Sequence, residues 1–332
     1  MMKKLPIIAF AAAAVIGCGI DRPADTTDDG INPPPLPDET DVCSGIEDEG
    51  FRRYCRENFD TDKDGKISPQ EAELVKTIEC PSWEVNILSF KGIEYFKNLE
   101  TFSCTYNEDV TAIDLHYNTK ITTIPDNAFE SCHKMKDFVF PPNTRSIGES
   151  AFCEWWELTE FTIPEGVETI GDAAIGFCGK LAEITIPGSI TSFADGALQC
   201  CSDLKTIHSK FASDDKRCLI IDGRLVAFAP AGLAAYTIPE GVKSIGVATF
   251  YLCDELKELT IPESVESIGR SAFAQCGLKQ INIWSTTPPA MEGDIFGSVG
   301  GYSPAINVPE SAVDTYKNAE GWKKYAGNIR SM

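Results

Sequence analysis

The sequence predicts a strand-dominated α/β solenoid built from stacked 23-residue units, and three observations carry that expectation. Ala128, Ala151, Ala174 and Ala197 recur at a constant interval, and Phe129, Phe152, Ile175 and Leu198 follow them. Cys132, Trp155, Cys178 and Cys201 come next, then Met135, Leu158, Leu181 and Leu204, then Phe138, Phe161, Ile184 and Ile207. Pro141, Pro164 and Pro187 close three of the units. Such a unit cannot bury its apolar face alone, so neighbours must stack. Alternating stretches such as Phe161-Thr162-Ile163 read as strands, and Ala-Phe-x-x-Cys fills the opposite wall of each coil.

The composition fits a displayed acidic protein. Among 332 residues, 50 acidic side chains face 29 basic ones, a formal charge of −21. That balance excludes nucleic acid as a partner and gives no attraction to an anionic membrane surface. A hydrophobic content of 43% is enough for a large core.

Residues 1–17 read as a secretory signal, with Lys3 and Lys4 before an apolar run too short to span a bilayer. The run ends in Val15-Ile16-Gly17-Cys18, which resembles the bacterial lipobox and implies lipidation of Cys18. Residues 18–42 are rich in Asp and Pro with no aromatic residue, and are expected to stay extended as a tether. Acidic residues soon after the lipidated cysteine resemble the surface-export signal of Bacteroidetes lipoproteins. The implied location is the cell envelope, as an outer-membrane lipoprotein exposed at the surface, touching the membrane through its lipid alone.

Residues 43–79 hold a calcium-binding pattern. Asp60-Thr61-Asp62-Lys63-Asp64-Gly65-Lys66-Ile67-Ser68-Pro69-Gln70-Glu71 fits the EF-hand loop without a gap. Ca2+ needs six to eight hard oxygens. Asp60, Asp62 and Asp64 would supply carboxylates, Lys66 its carbonyl, Ser68 a direct or water-mediated oxygen and Glu71 a bidentate closure. Phe51, Tyr54, Cys55 and Phe59 precede the loop at helical spacing, and Leu74, Val75 and Ile78 follow it. A lone loop of this kind suits a structural clip better than a sensor.

Residues 80–120 are expected to cap the solenoid, residues 121–283 to form it, and residues 284–332 to close it. The repeat reads Leu-x-x-Leu-x-Ile-Pro, then Val-x-x-Ile-Gly, then Ala-Phe-x-x-Cys, as in Leu259-Thr260-Ile261-Pro262 and Val265-Glu266-Ser267-Ile268-Gly269. This resembles the BspA-type leucine-rich repeat of Bacteroidetes and treponeme surface proteins. Leu99 to Asn107 resembles the more usual leucine-rich unit with its terminal asparagine, and Ile113 to Asn118 repeats part of it. The EF-hand ahead of the repeats, and Val308-Pro309 followed by Tyr316 and Trp322, also match that family's arrangement. The resemblance implies a leucine-rich-repeat solenoid and a cell-surface binding role.

The interval from Leu204 to Leu233 exceeds a unit by six residues. The excess, at about 210–232, carries Asp222-Gly223 between apolar runs, a hairpin signal expected to project from the coil edge. The repeat cysteines Cys132, Cys178, Cys201, Cys253 and Cys276 should line an inner wall as free thiols, since parallel side chains suit a disulfide poorly. Cys43 with Cys55 is the pair best placed in sequence for a disulfide.

No residue pattern for catalysis stands out: there is no Gly-x-Ser-x-Gly, phosphate loop or His-Glu-x-x-His, and His116, His133 and His208 are isolated. No catalytic residue is therefore assigned. The candidate binding face consists of two outward columns on the strands: Asp137, Glu160, Glu183 and Glu258, and Thr162, Thr185, His208, Thr237 and Thr260. Threonine there also serves β propensity, and acids serve solubility. The expected partner is a host or bacterial surface protein or glycan; a passive envelope spacer and an unrecognised hydrolase are the competing readings.

Overall fold

The computed structural model describes residues 32–80, 86–297 and 303–332. Cys18, the signal segment and most of the expected tether lie outside them. The chain winds into a solenoid of about 11 turns spaced by about 23 residues. Each turn carries two short strands, one on either wall, and equivalent strands of successive turns pair in parallel.

The face ladder holds Ala112–Asp114, Asp137–Val139, Glu160–Thr162, Glu183–Thr185 and Thr206–His208, then Ala235–Thr237, Glu258–Ile261 and Gln280–Ile283. These strands pair as three successive parallel sheets, beginning at Ala112, Glu160 and Ala235; within the second, Glu160 lies beside Glu183 and Glu183 beside Thr206, with Thr162, Thr185 and His208 in the same order. The middle residues, such as Phe161, Ile184 and Ile207, turn into the core. The back ladder is narrower, two residues per turn: Thr123–Ile124, Ser146–Ile147, Thr169–Ile170 and Ser192–Phe193 pair in order, and Ile124, Ile147, Ile170 and Phe193 are buried. Between the walls, Ala128, Ala151, Ala174 and Ala197 are wholly inaccessible.

Three expected boundaries move. The tether ends earlier than 42, because Asp38 to Val42 docks onto the loop at 60–71. Val42 N donates to Ile67 O at 2.7 Å, and Ile67 N donates to Asp41 Oδ1 at 3.0 Å. The parallel ladder begins at Thr77–Glu79, which pairs with Thr101–Ser103. At the other end, the closing segment adds two strands to the face ladder, Ala305–Val308 and Ile329–Ser331.

The insertion is a hairpin, as Asp222-Gly223 signalled: Cys218–Ile221 pairs antiparallel with Arg224–Phe228. Asp222 and Gly223 both take positive φ, 50° and 79°, the geometry of a tight two-residue turn. The hairpin does not project. Arg224 and Leu225 pair with Ser244 and Ile245 of the back ladder, and Leu225 to Phe228 are buried. Their apolar side chains gain more from the core than from solvent. Leu219 and Val226 join the apolar cluster upstream, while Cys218 and Phe228 join the one downstream. The insertion thus splices two halves of the core.

Candidate functional site

The N-terminal loop is built from two helices. Helix α1 spans Glu49–Phe59, with Asp48 accepting from Phe51 N at its start. Helix α2 spans Pro69–Leu74, with Pro69 in its first turn, where a missing N–H costs nothing. Ser68 and Glu71 form a capping box, a second duty for two expected ligands. Glu71 is nearly buried. Its Oε1 accepts from Thr61 N and Oγ1, both at 2.7 Å, and its Oε2 accepts from Ser68 N and Oγ, both at 2.9 Å. The Thr61 hydroxyl, with the Ser68 and Thr61 amides, pulls its carboxyl down to about 2. Gly65, at φ 86°, turns the chain and donates to Asp60 Oδ2 at 2.9 Å.

Carboxylate oxygens of Asp60, Asp62 and Glu71 lie within 4.8 Å of one another. Asp60 Oδ1 is buried with no hydrogen-bond partner. An orphaned, inward carboxylate oxygen among hard oxygen donors fits a hard divalent cation. Asp64 stands outside this group, with Oδ1 accepting from Lys66 N at 2.8 Å.

The strand columns fall where the repeat placed them. Glu160, Glu183, Thr162 and Thr237 are exposed, and Asp137, Glu258, Thr185, His208 and Thr260 are half-buried. His208 Nε2 meets Glu183 Oε2 at 3.1 Å. Glu258 Oε1 accepts from Asn282 Nδ2 at 2.8 Å, and Asn307 Nδ2 donates to Asn282 Oδ1 at 2.7 Å. The threonine column runs on through Asn282, the last repeat position, to Asn307, whose strand the sequence reading placed in the closing segment. The 25-residue spacing from Asn282 to Asn307 hid the latter from the 23-residue register.

The cysteines behave as core fillers with a polar task. Cys43 and Cys55 are both free thiols, so no disulfide joins that pair. Cys178 Sγ donates to Phe152 O at 3.4 Å and Cys201 Sγ to Ile175 O at 3.2 Å. Burial pushes the Cys201 thiol up to about 12, so it is a donor and not a nucleophile.

His133 is not isolated. Its ring stacks on Trp156 at 3.6 Å, with Glu108 and Glu154 near its two nitrogens.

The hairpin is where an unrecognised hydrolase would have to work. Ser213 Oγ donates to Asp215 Oδ1 at 2.6 Å and Tyr236 Oη to Asp215 Oδ2 at 2.9 Å. Burial holds the neighbouring Cys218 thiol up at about 12. Burial opposes ionisation of Asp215 too, but bonds from Ser213, Arg217 N and Tyr236 outweigh it and lower its pKa. Both groups are locked in their resting protonation states, which suits a structural knot better than acid–base chemistry. Near the C-terminus an open groove of about 600 Å³ is lined by Pro288, Pro289, Trp322, Asp314 and Glu320. It brings two carboxylates to an apolar floor.

The comparisons agree with this geometry. The family model described as "BspA type Leucine rich repeat region" matches six copies over residues 97–213 and 224–296, skipping the hairpin turn. No curated protein matches. Among solved structures, a leucine-rich cell surface protein from Faecalibacterium prausnitzii A2-165 is 19% identical, with 77% of this chain and 78% of that one covered at a TM-score of 0.43. A leucine-rich repeat protein from Bacteroides ovatus ATCC 8483 is 18% identical, over 70% and 87% of the two chains, with a TM-score of 0.34. Another from Eubacterium ventriosum ATCC 27560 is 18% identical, over 77% and 70%, with a TM-score of 0.45. With the family model covering more than half of its length, the chain belongs to the BspA-type leucine-rich repeat family.

Proposed function

We infer that the chain is a recognition module of the bacterial envelope, anchored by lipid at Cys18, that grips a surface or host protein or glycan through its face ladder. The observation that carries this reading is the in-register parallel pairing of outward residues, Glu160 with Glu183 and Thr162 with Thr185, in the sheet of Glu160–Thr162, Glu183–Thr185 and Thr206–His208. Such a face offers a ligand a rigid two-column array, and rigidity lowers the ordering cost of binding. Repeat solenoids in general use extended surfaces of this type for binding. Calcium, in this reading, sits among Asp60, Asp62 and Glu71 and stabilises the N-terminal part, including the docked end of the tether.

Arrays of purified matrix proteins and glycans, probed with the intact protein, test the reading. The expected result is saturable capture that is lost on combined Glu160→Lys, Glu183→Lys and Glu258→Lys substitution without loss of folding. Capture unchanged by that triple substitution removes the face ladder from the account. A passive spacer would capture nothing.

A further inference from the structure

The second candidate surface lies beside the face ladder, where residues at one repeat position form a column: Glu108, His133, Trp156, Gly179 and Ser202. Neighbours in this column are neighbours in space. His133 and Trp156 stack at 3.6 Å with 9° between their planes. Ser202 Oγ donates to Gly179 O at 3.3 Å. The adjoining columns keep the same step, with Ser131 Oγ donating to Glu154 Oε2 at 2.7 Å and Lys180 Nζ meeting Glu157 Oε1 at 2.7 Å.

The stacking direction therefore runs along the solenoid axis. His133 covers one face of the Trp156 indole, and the other looks toward the turn where the column has a glycine. Trp156 keeps 50% of its surface exposed, and Phe177 beside that turn keeps 39%. A Cβ built on Gly179 would meet only Ser202 Oγ, at 3.8 Å, and no indole atom within 4 Å. Gly179 is not among the residues with positive φ, so its backbone does not demand glycine. What the glycine provides is space. Turns about 4.8 Å apart put Trp156 and Ser202 roughly 9.6 Å apart. That gap holds one flat group at stacking distance from the indole.

We propose that this slot is a binding site for an arginine side chain presented by a protein partner. Carboxylates surround the stack: Glu108 and Glu154 flank the His133 ring on the covered side, and Glu157, next to Trp156 in the chain, pairs with Lys180 at 2.7 Å. The chain as a whole carries −21. A guanidinium is flat, permanently charged, weakly hydrated and rich in donors, and stacks on aromatic faces where an ammonium does not. It would repeat, on the bare face, what the His133 ring does on the covered one. The proposal rests on the slot alone and stands whether or not the strand columns bind anything.

The test follows the Trp156 indole N–H signal by NMR in the intact soluble protein, assigned with Trp156→Phe among the five tryptophans. The probes are the blocked amides of arginine and lysine, and methyl glucoside. The expected result is a saturable shift of this signal with the arginine amide, with cross-relaxation from the arginine side-chain methylenes to the Trp156 ring. Gly179→Leu, which fills the slot, should weaken the response by about tenfold or more while the other four indole signals stay in place. The cross-relaxation measurement needs no variant and stands if Gly179→Leu fails to fold. An unmoved indole signal, a response unchanged in folded Gly179→Leu, or an equal or larger response to the lysine amide or the glucoside would each overturn the proposal.

Discussion

Trp155 Nε1 donates to the carbonyl of Phe129 at 2.8 Å, in the repeat position where Cys178 and Cys201 donate their thiols to Phe152 and Ile175. In all three the carbonyl lies 26 residues back, inside the wall. A buried carbonyl without a partner is costly, so every turn needs a donor at this place. Cysteine is the small solution and tryptophan the large one. The tryptophan sits where Phe129, Phe138, Phe152 and Phe161 crowd around it.

Trp155 is fully buried, so Trp155→Ala should destabilise by about 3–5 kcal/mol through the cavity and the orphaned carbonyl. Trp155→Phe keeps most of the volume and should cost about 1–3 kcal/mol, chiefly for the unpaired Phe129 oxygen. Urea unfolding measures both; equal losses for the two would show that the hydrogen bond contributes nothing.

Alkaline pH should weaken the fold. Burial pushes the thiols of Cys153 and Cys201 up to about 12, against an ordinary value near 9. An acid whose folded pKa is raised stabilises the fold fully below its unfolded pKa. That contribution declines as the unfolded chain ionises and the folded one does not. Each such thiol removes roughly 1.4 kcal/mol per pH unit between those two values. Melting temperature followed from pH 8 to 11 should fall, and maleimide should label these thiols only on unfolding. A flat profile would contradict the burial argument.

Much of this was readable beforehand, because a constant 23-residue step fixes which residues meet. The stacking of His133 on Trp156 was readable too, since the two differ by one repeat, yet each looks unremarkable alone. The docking of Asp41 and Val42 onto Ile67 was not readable, because no spacing links an Asp-Pro tether to a loop 26 residues on. The hairpin's turn was evident from Asp222-Gly223, but its direction depends on whether Leu225 to Phe228 find a core to enter.

Asp195 ties that hairpin down. Its carboxylate accepts from Arg224 Nε at 3.0 Å and from Val247 N at 2.9 Å. Both side chains are partly screened by solvent, so Asp195→Ala should cost about 1–3 kcal/mol. Hydrogen exchange should speed up across Cys218–Ile221 and Arg224–Phe228 before it does elsewhere. Unchanged exchange there would leave the carboxylate without a structural role.

Calcium should raise the melting temperature of the N-terminal part. At a hundredfold excess over its dissociation constant, a ligand bound only by the folded state contributes about 2.7 kcal/mol. Excess chelator should reverse the shift, and Asp60→Ala should abolish it. A melt indifferent to both calcium and chelator would remove the cation from the loop.

The claim on which the account turns is that partners meet the face ladder and not the back of the coil. A photo-crosslinking residue placed at Thr162 or Thr185 tests it against the same residue at Ser192 or Ser244 of the back ladder, with any protein captured on the array. The account predicts covalent adducts from the first two positions alone. Adducts from the back ladder, or equally from both walls, would contradict it.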